Sequence, residues 1–455
     1  MPTFETSLDF AKHLDSLDPL ASYRDQFVIT DPNLIYLDGN SLGRMPKAAA
    51  ERAKQIVDEE WGNDLIRGWN KGWWDAPSRV GDKIGQLIGA APGQVLVSDS
   101  TSVNLFKLAI AALQLQSGRA KIVTDTFNFP SDLYVLQGII GLSSRLNSMV
   151  SPEMDDTAAY VSAVMSGKTS RPNSTPTHAI RMIGSEDDDI TPDHIELHSA
   201  INQNTALVVL SHVTFKSGYL YDMAAITSRA HAKGALVLWD LSHSVGSVPI
   251  ELDNCNADLA IGCTYKYLNG GPGAPAFLYV NKNIQEKLTS PIWGWWGQNK
   301  PFDFGLDYEP APGAQRFLAG TQPMISLLTM EASLDIFLQT GMDALRAKSI
   351  LMTDYASFLT DTWLAPHGFS LGSPRDSAIR GSHISIRHPE GYRINRALIE
   401  EMNLIPDFRA PDNLRLGFAP LYTSFAEIRE GFDRIKRVLV EKRYDKYPKQ
   451  KLTVT

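Results

Sequence analysis

Between residues 121 and 280 the sequence alternates short apolar runs with stretches of helix length, and this alternation restricts the fold more than any other feature. The runs are 121–126, 178–183, 205–211, 235–240, 258–263 and 275–280. Leu207-Val208-Val209-Leu210 has no polar position, so a strand made from it must be covered on both faces, as in a parallel sheet between helix layers. The stretches 101–116 and 222–233 read as crossover helices, the second closed by Gly234. Strands and helices in alternation define an α/β fold.

Past residue 281 the pattern changes. Residues 281–325, rich in Trp, Gly and Pro, read as loops, and one long helix is expected over 325–347. The segments 382–387 and 413–419 alternate like half-buried antiparallel strands. Ser424-Phe425-Ala426-Glu427 has the form of a capping box, opening a helix with Phe425, Ile428, Phe432, Ile435 and Leu439 on one side. The expected division is an N-terminal segment 1–45, a large domain 46–310 and a small α+β domain 311–455, with 441–455 a solvated tail.

The charge balance narrows the partners. The 51 acidic residues against 43 basic ones give a net charge of −8, a field that repels phosphate backbones and anionic surfaces. No nucleic-acid or membrane partner is expected, since no apolar run approaches the ~18–20 residues of a membrane span. Glu5, Asp9, Asp15 and Asp18 do not fit a signal peptide. Cys255 and Cys263 form no CxxC pair, which suits a reducing compartment and leaves no thiolate metal site. A cytoplasmic location is expected.

The chemistry concentrates where strands end. Asp240 closes an apolar strand, and an acid there is costly to bury without a cation. Lys266 follows by 26 positions, again directly after a buried-looking strand. Taken singly, the acid reads as a helix cap and the lysine as a solvent-reaching side chain. Together they suit pyridoxal phosphate: an amine to hold the aldehyde, and a carboxylate to keep the pyridine nitrogen protonated so that the ring accepts carbanion electrons. Ser98-Asp99-Ser100-Thr101-Ser102 ahead of a helix reads as an anion cradle or as plain N-capping. Phe129 and Asp132, just past the strand 121–126, read as a ring-stacking aromatic and a polar neighbour, or as part of a turn.

Longer runs carry a resemblance. YLDGNSLG at 36–43, FPSD at 129–132, WDLSHSVG at 239–246, TYKYLNGGPG at 264–273, GWWG at 294–297, FLAGTQP at 317–323, and Arg415 with the following Ala419-Pro420-Leu421-Tyr422 resemble kynureninases, in order and over nearly the whole chain. The resemblance implies an aspartate-aminotransferase-like architecture (pyridoxal phosphate fold type I), with a mostly parallel seven-stranded sheet in the large domain and a small α+β C-terminal domain. It implies hydrolysis of the Cβ–Cγ bond of L-kynurenine to anthranilate and L-alanine, in tryptophan and kynurenine degradation, by an obligate homodimer with its active site at the interface.

Roles follow from the same resemblance. Lys266 would bind the cofactor covalently, Asp240 would pair with the pyridinium nitrogen, and His243 would lie beside them. Thr101, Ser102, Ser211 and Tyr265 would bind the phosphate or the ring oxygen, Phe129 would stack on the ring, and Asp132 would sit next to it. Trp295 and Thr321 would reach the phosphate from the other subunit. Arg415 would grip the substrate α-carboxylate through its planar fork, and Tyr265 is a candidate proton donor. Trp69 stands where animal-type members carry a histidine, which implies a preference for kynurenine over 3-hydroxykynurenine. Asn40 and His243 are weaker candidates for the aniline ring. Gln298 stands where a histidine is common. The competing readings are a cysteine desulfurase or selenocysteine lyase, which would need a reactive cysteine on a mobile loop, and an aminotransferase.

Overall fold

The computed structural model describes residues 3–149, 178–185 and 187–450. Its centre is a seven-stranded sheet in the order Val95–Val97, Phe277–Val280, Leu259–Gly262, Leu236–Asp240, Thr205–Ser211, Lys121–Asp125, Ala179–Ile183. Only Phe277–Val280 runs against the others. The six strands expected from the sequence are all present, 205–211 at the expected length and the other five shorter by one or two residues. The seventh, Val95–Val97, is the addition.

Because side chains alternate along a strand, Leu207 and Val209 enter one core and Val208 and Leu210 the other. The first core is covered chiefly by Thr101–Leu115 and the loops around Phe317. The second is covered by Ala76–Leu87, Met223–Ala232 and Met324–Thr340.

The single helix expected over 325–347 is two helices, Met324–Thr340 and Met342–Leu359. Gly341 separates them with φ 74°, a backbone state that glycine enters without a Cβ penalty. The first helix packs on the large sheet. Hydrophobic residues of the second join a separate core formed by residues between Met352 and Leu439 together with Ala11, Leu14, Ile35 and Leu37 of the N-terminal segment.

That second core lies under a four-stranded antiparallel sheet in the order Asp407–Arg409, Asn413–Gly417, His383–Arg387, Ser370–Leu371. Helix Phe425–Val440 opens with the expected capping box, Ser424 and Glu427 satisfying each other's backbone. Residues 441–447 are largely exposed but tied down, Tyr447 donating to Glu401 at 2.6 Å and accepting from Arg393 at 2.7 Å, so the expected solvated tail is in part docked. Residues 451–455 lie outside the described residues.

The N-terminal segment joins the two cores. Asp15 on helix Leu8–Ser16 accepts from the N–H groups of Phe425 and Ala426 at 2.6 and 3.0 Å, and Arg24 forks onto Glu427 with two bonds of 2.7 Å. Ile35–Tyr36 pairs in parallel with Leu404–Ile405, and Gly417 donates to the Leu37 carbonyl at 2.7 Å. Gly43 then donates to the Tyr265 carbonyl at 2.8 Å. A Cβ on Gly43 would come within 2.4 Å of the Lys266 carbonyl oxygen, so only glycine permits this approach.

Candidate active site

The carboxyl ends of the parallel strands converge on a cavity of about 450 Å3, the position where open α/β sheets gather ligands. It is lined by Thr101, Ser102, Phe129, Asp132, Asp240, His243, Tyr265, Lys266 and Arg415, nine of the residues singled out in the sequence. Lys266 Nζ lies 2.8 Å from His243 Nε2 and 5.8 Å from the centre of the Phe129 ring.

The acidic floor is built by its own turns. Asp240 Oδ1 accepts from the Ser242 backbone at 2.9 Å and its hydroxyl at 2.6 Å. Asp132, in the first turn of helix Pro130–Met149, lies beside Asp240 in the cavity wall. Burial first, and then the neighbouring Asp240 charge, push the Asp132 carboxyl well above the usual range. His243 is driven the other way: burial, followed by the charges of Lys266 and Arg415, holds its imidazole neutral. Tyr265 is kept protonated by the adjacent Cys263 and by burial.

The expected anion cradle lies at the N-terminus of helix Thr101–Leu115, which Ser100 caps. Behind it, the side chain of Lys107 is fully buried and donates to Asp99 and to the Phe317 carbonyl, both at 2.7 Å. Gln322 accepts the Asp99 N–H at 3.0 Å. The run 317–323 therefore reaches the cradle through Phe317 and Gln322, while Thr321 is exposed.

The other expected residues lie outside the cavity of their own chain. Ser211 pairs in register with Asp240, but its hydroxyl donates to Asn128 at 2.8 Å. Trp69 and Trp295 belong to a cluster with Trp74 and Trp296, the Trp69 ring lying 5.8 Å from Trp295 and 5.3 Å from Trp296. Asn40 is buried beside Arg415. With its amide oriented to satisfy both ends, it accepts from Arg415 Nε at 2.9 Å and donates to Asp38 at 3.3 Å. Gln298 sits outside the cavity and holds the 299–309 loop, accepting from the Glu309 N–H at 2.7 Å.

Reading the sequence missed Ser41, Asp407, Arg409 and Lys107. Arg415 donates to Ser41 at 2.7 Å, to the Phe215 carbonyl at 2.7 Å and to Asp407. The spacing of Asp407 and Arg409, two apart and on a strand paired with Arg415, was the available signal.

These residues fit pyridoxal phosphate. Asp132 Oδ2 and His243 Nδ1 are buried with no partner among the described residues. A primary amine, an aromatic face, a carboxylate pair and a helix N-terminus surround one space.

Comparison with known proteins agrees. Residues 345–435 match the family described as kynureninase C-terminal domain, and residues 173–386 match aminotransferase class-V. The chain is 43% identical to a kynureninase of Pseudomonas fluorescens, with 94% of each chain covered, and 42% identical to one from Burkholderia pseudomallei at the same coverage. Among solved structures, a cysteine desulfurase from Thermococcus onnurineus superposes with a TM-score of 0.73 at 16% identity, covering 92% of this chain and 98% of the other. The cystine C–S lyase C-DES gives 0.70 at 17%, covering 89% and 98%. At those identities the structures establish the shared fold, an aspartate-aminotransferase-like one. The near-complete matches at over 40% identity go further: this chain belongs to the kynureninase family.

Proposed function

We propose that the protein is a pyridoxal phosphate-dependent kynureninase. It would hydrolyse the Cβ–Cγ bond of L-kynurenine to anthranilate and L-alanine, in cytoplasmic tryptophan and kynurenine degradation. The observation that carries the reading is the single cavity holding Lys266, the Asp132–Asp240 pair, the helix N-terminus and Arg415 in a chain of this family.

The bound cofactor supplies an electron sink for negative charge at the substrate's Cα and Cβ. Lys266 Nζ, held by His243, removes the Cα proton and returns it after cleavage. His243 serves as acceptor because its surroundings keep it neutral. Asp240, fixed by Ser242, would hold the ring nitrogen, with Asp132 beside it, its carboxyl shifted toward the neutral form by burial and by Asp240. Phe129 would cover the ring, and Thr101 and Ser102 would receive the phosphate. Arg415 and Ser41 orient the α-carboxylate. Water adds to the aryl ketone, its oxygen leaves in anthranilate, and Tyr265, protonated at neutral pH, delivers the proton that Cβ needs to become the methyl of alanine.

Assembly as a homodimer completes the site. Trp69, Trp295 and Thr321 lie outside their own chain's cavity, next to a surface that exposes Ile66, Trp293, Phe302, Phe304 and Leu306. So large an apolar surface supports self-association, which would bring those residues to the second subunit's pocket.

The desulfurase reading lacks its nucleophile. Cys263 is buried and Cys255 half-buried, and burial raises both thiols above the ordinary range. Neither lines the cavity.

The test is direct. Purified protein is expected to show a visible cofactor absorption bleached by borohydride and to release fluorescent anthranilate from L-kynurenine, with a lower kcat/KM for 3-hydroxykynurenine. Lys266→Ala is expected to abolish both the bleachable band and turnover. Cofactor-loaded wild-type protein that releases no anthranilate would refute the reading.

A further inference from the structure

The small-domain sheet presents three charged side chains toward the cavity from one face. Asp407 and Arg409 are two apart on the edge strand, and Arg415 is the register partner of Asp407 on the next, so strand periodicity places them side by side. Asp407 divides its carboxylate between them, Oδ1 accepting from Arg409 Nη1 at 2.7 Å and Oδ2 from Arg415 Nη2.

The two guanidiniums differ in what they have left to give. Arg415 is enclosed, its side chain 2% exposed, and four of its five N–H donors go to Asp407, Ser41, the Phe215 carbonyl and Asn40, which leaves one on Nη1. Arg409 lines the same cavity with 31% of its side chain exposed. Its Nε is buried with no partner among the described residues. Two adjacent cations with one carboxylate between them favour a second anion. Asp38 lies 4.0 Å from Arg415 and forms no ion pair with Arg409 among the described residues, while burial and then Asp407 raise its pKa to about 6. Burial and the Arg415 charge also disfavour the charged form of Arg409, a cost that an incoming carboxylate relieves.

We propose that Arg409 binds the substrate α-carboxylate directly, alongside Arg415, with Asp407 bridging the two guanidiniums in the correct relative position. The inference rests on the reading of the cavity as an amino-acid site.

The experiment uses holoenzyme and follows ligand binding through the cofactor's visible absorption, with L-alanine, L-kynurenine and the decarboxylated amine of kynurenine as ligands. Arg409→Gln is expected to weaken both carboxylate-bearing ligands about tenfold or more, the scale of a lost charge-assisted bond, and to leave the amine unchanged. The same substitution in an Arg415→Gln background is expected to weaken L-alanine again by a similar factor. Equal weakening of all three ligands, or no further loss in the Arg415→Gln background, would overturn the proposal, since Arg409 would then act on the fold or only through Arg415. If Arg409→Gln fails to fold, Arg409→Lys keeps the charge without the fork and is expected to show a smaller loss of the same selectivity; unchanged carboxylate binding would refute the role. Wild-type protein that binds L-alanine but does not cleave L-kynurenine would count against the kynureninase reading and leave the carboxylate site standing.

Discussion

His212 shows how much a single buried side chain of this protein costs in acid. Its ring packs edge-on against Trp239 at 5.9 Å, its Nδ1 has no partner, and burial lowers its pKa to about 4. An unfolded histidine titrates near 6.5. Below that pH the unfolded chain binds a proton that the native one refuses, so this contribution to stability is present at neutral pH and lost as pH falls through 6.5 toward 4. His212→Phe is expected to make the pH dependence of the urea midpoint shallower across that range, by an amount worth roughly 3 kcal/mol. Parallel curves for the two proteins would refute it. His243 and His383 are shifted the same way, whereas Asp125, raised by burial to about 6, loses stability as pH rises, so only the difference between variants is diagnostic.

At the scale of elements, legibility depended on length and period. Strands with several consecutive apolar residues, the helix ended by Gly234 and the capping box at Ser424 were readable because each carries its own local signal. Val95–Val97 is three residues long and shows no period. Gly341 lay hidden between two helices whose apolar residues continue on both sides of it. The site was legible where residues end long strands, as with Asp240, or lie in family motifs, as with Lys266. Asp407 and Arg409 fill a three-residue edge strand, and Lys107 is a lysine on a helix, a residue type that ordinarily faces water.

Lys107 in fact anchors the helix that forms the anion cradle. Lys107→Met would strand the Phe317 carbonyl and release Asp99 from its ion pair, at a cost of roughly 3 kcal/mol. A lower Tm and faster loss of cofactor on dialysis are expected. Unchanged values for both would show that the cradle stands without its buried cation.

For the whole molecule, the exposed apolar loop is the feature that supports the proposed dimer. Leu306 is fully exposed and Phe304 is 81% exposed, next to the Trp295 cluster. Leu306→Asp with Phe304→Asp is expected to shift sedimentation from dimer to monomer and to reduce cofactor retention. A wild-type protein that sediments as a monomer at micromolar concentration would refute the assembly.

The stretch from Leu37 to Gly43 is clasped at one end by the Arg415 strand and at the other by the Lys266 loop. It works as a yoke. Its two clasps fix the span between the strand that carries the guanidinium and the loop that carries the amine. A side chain at position 43 would therefore unhook the small-domain strand from the lysine loop, because only seven residues of main chain tie the two together there.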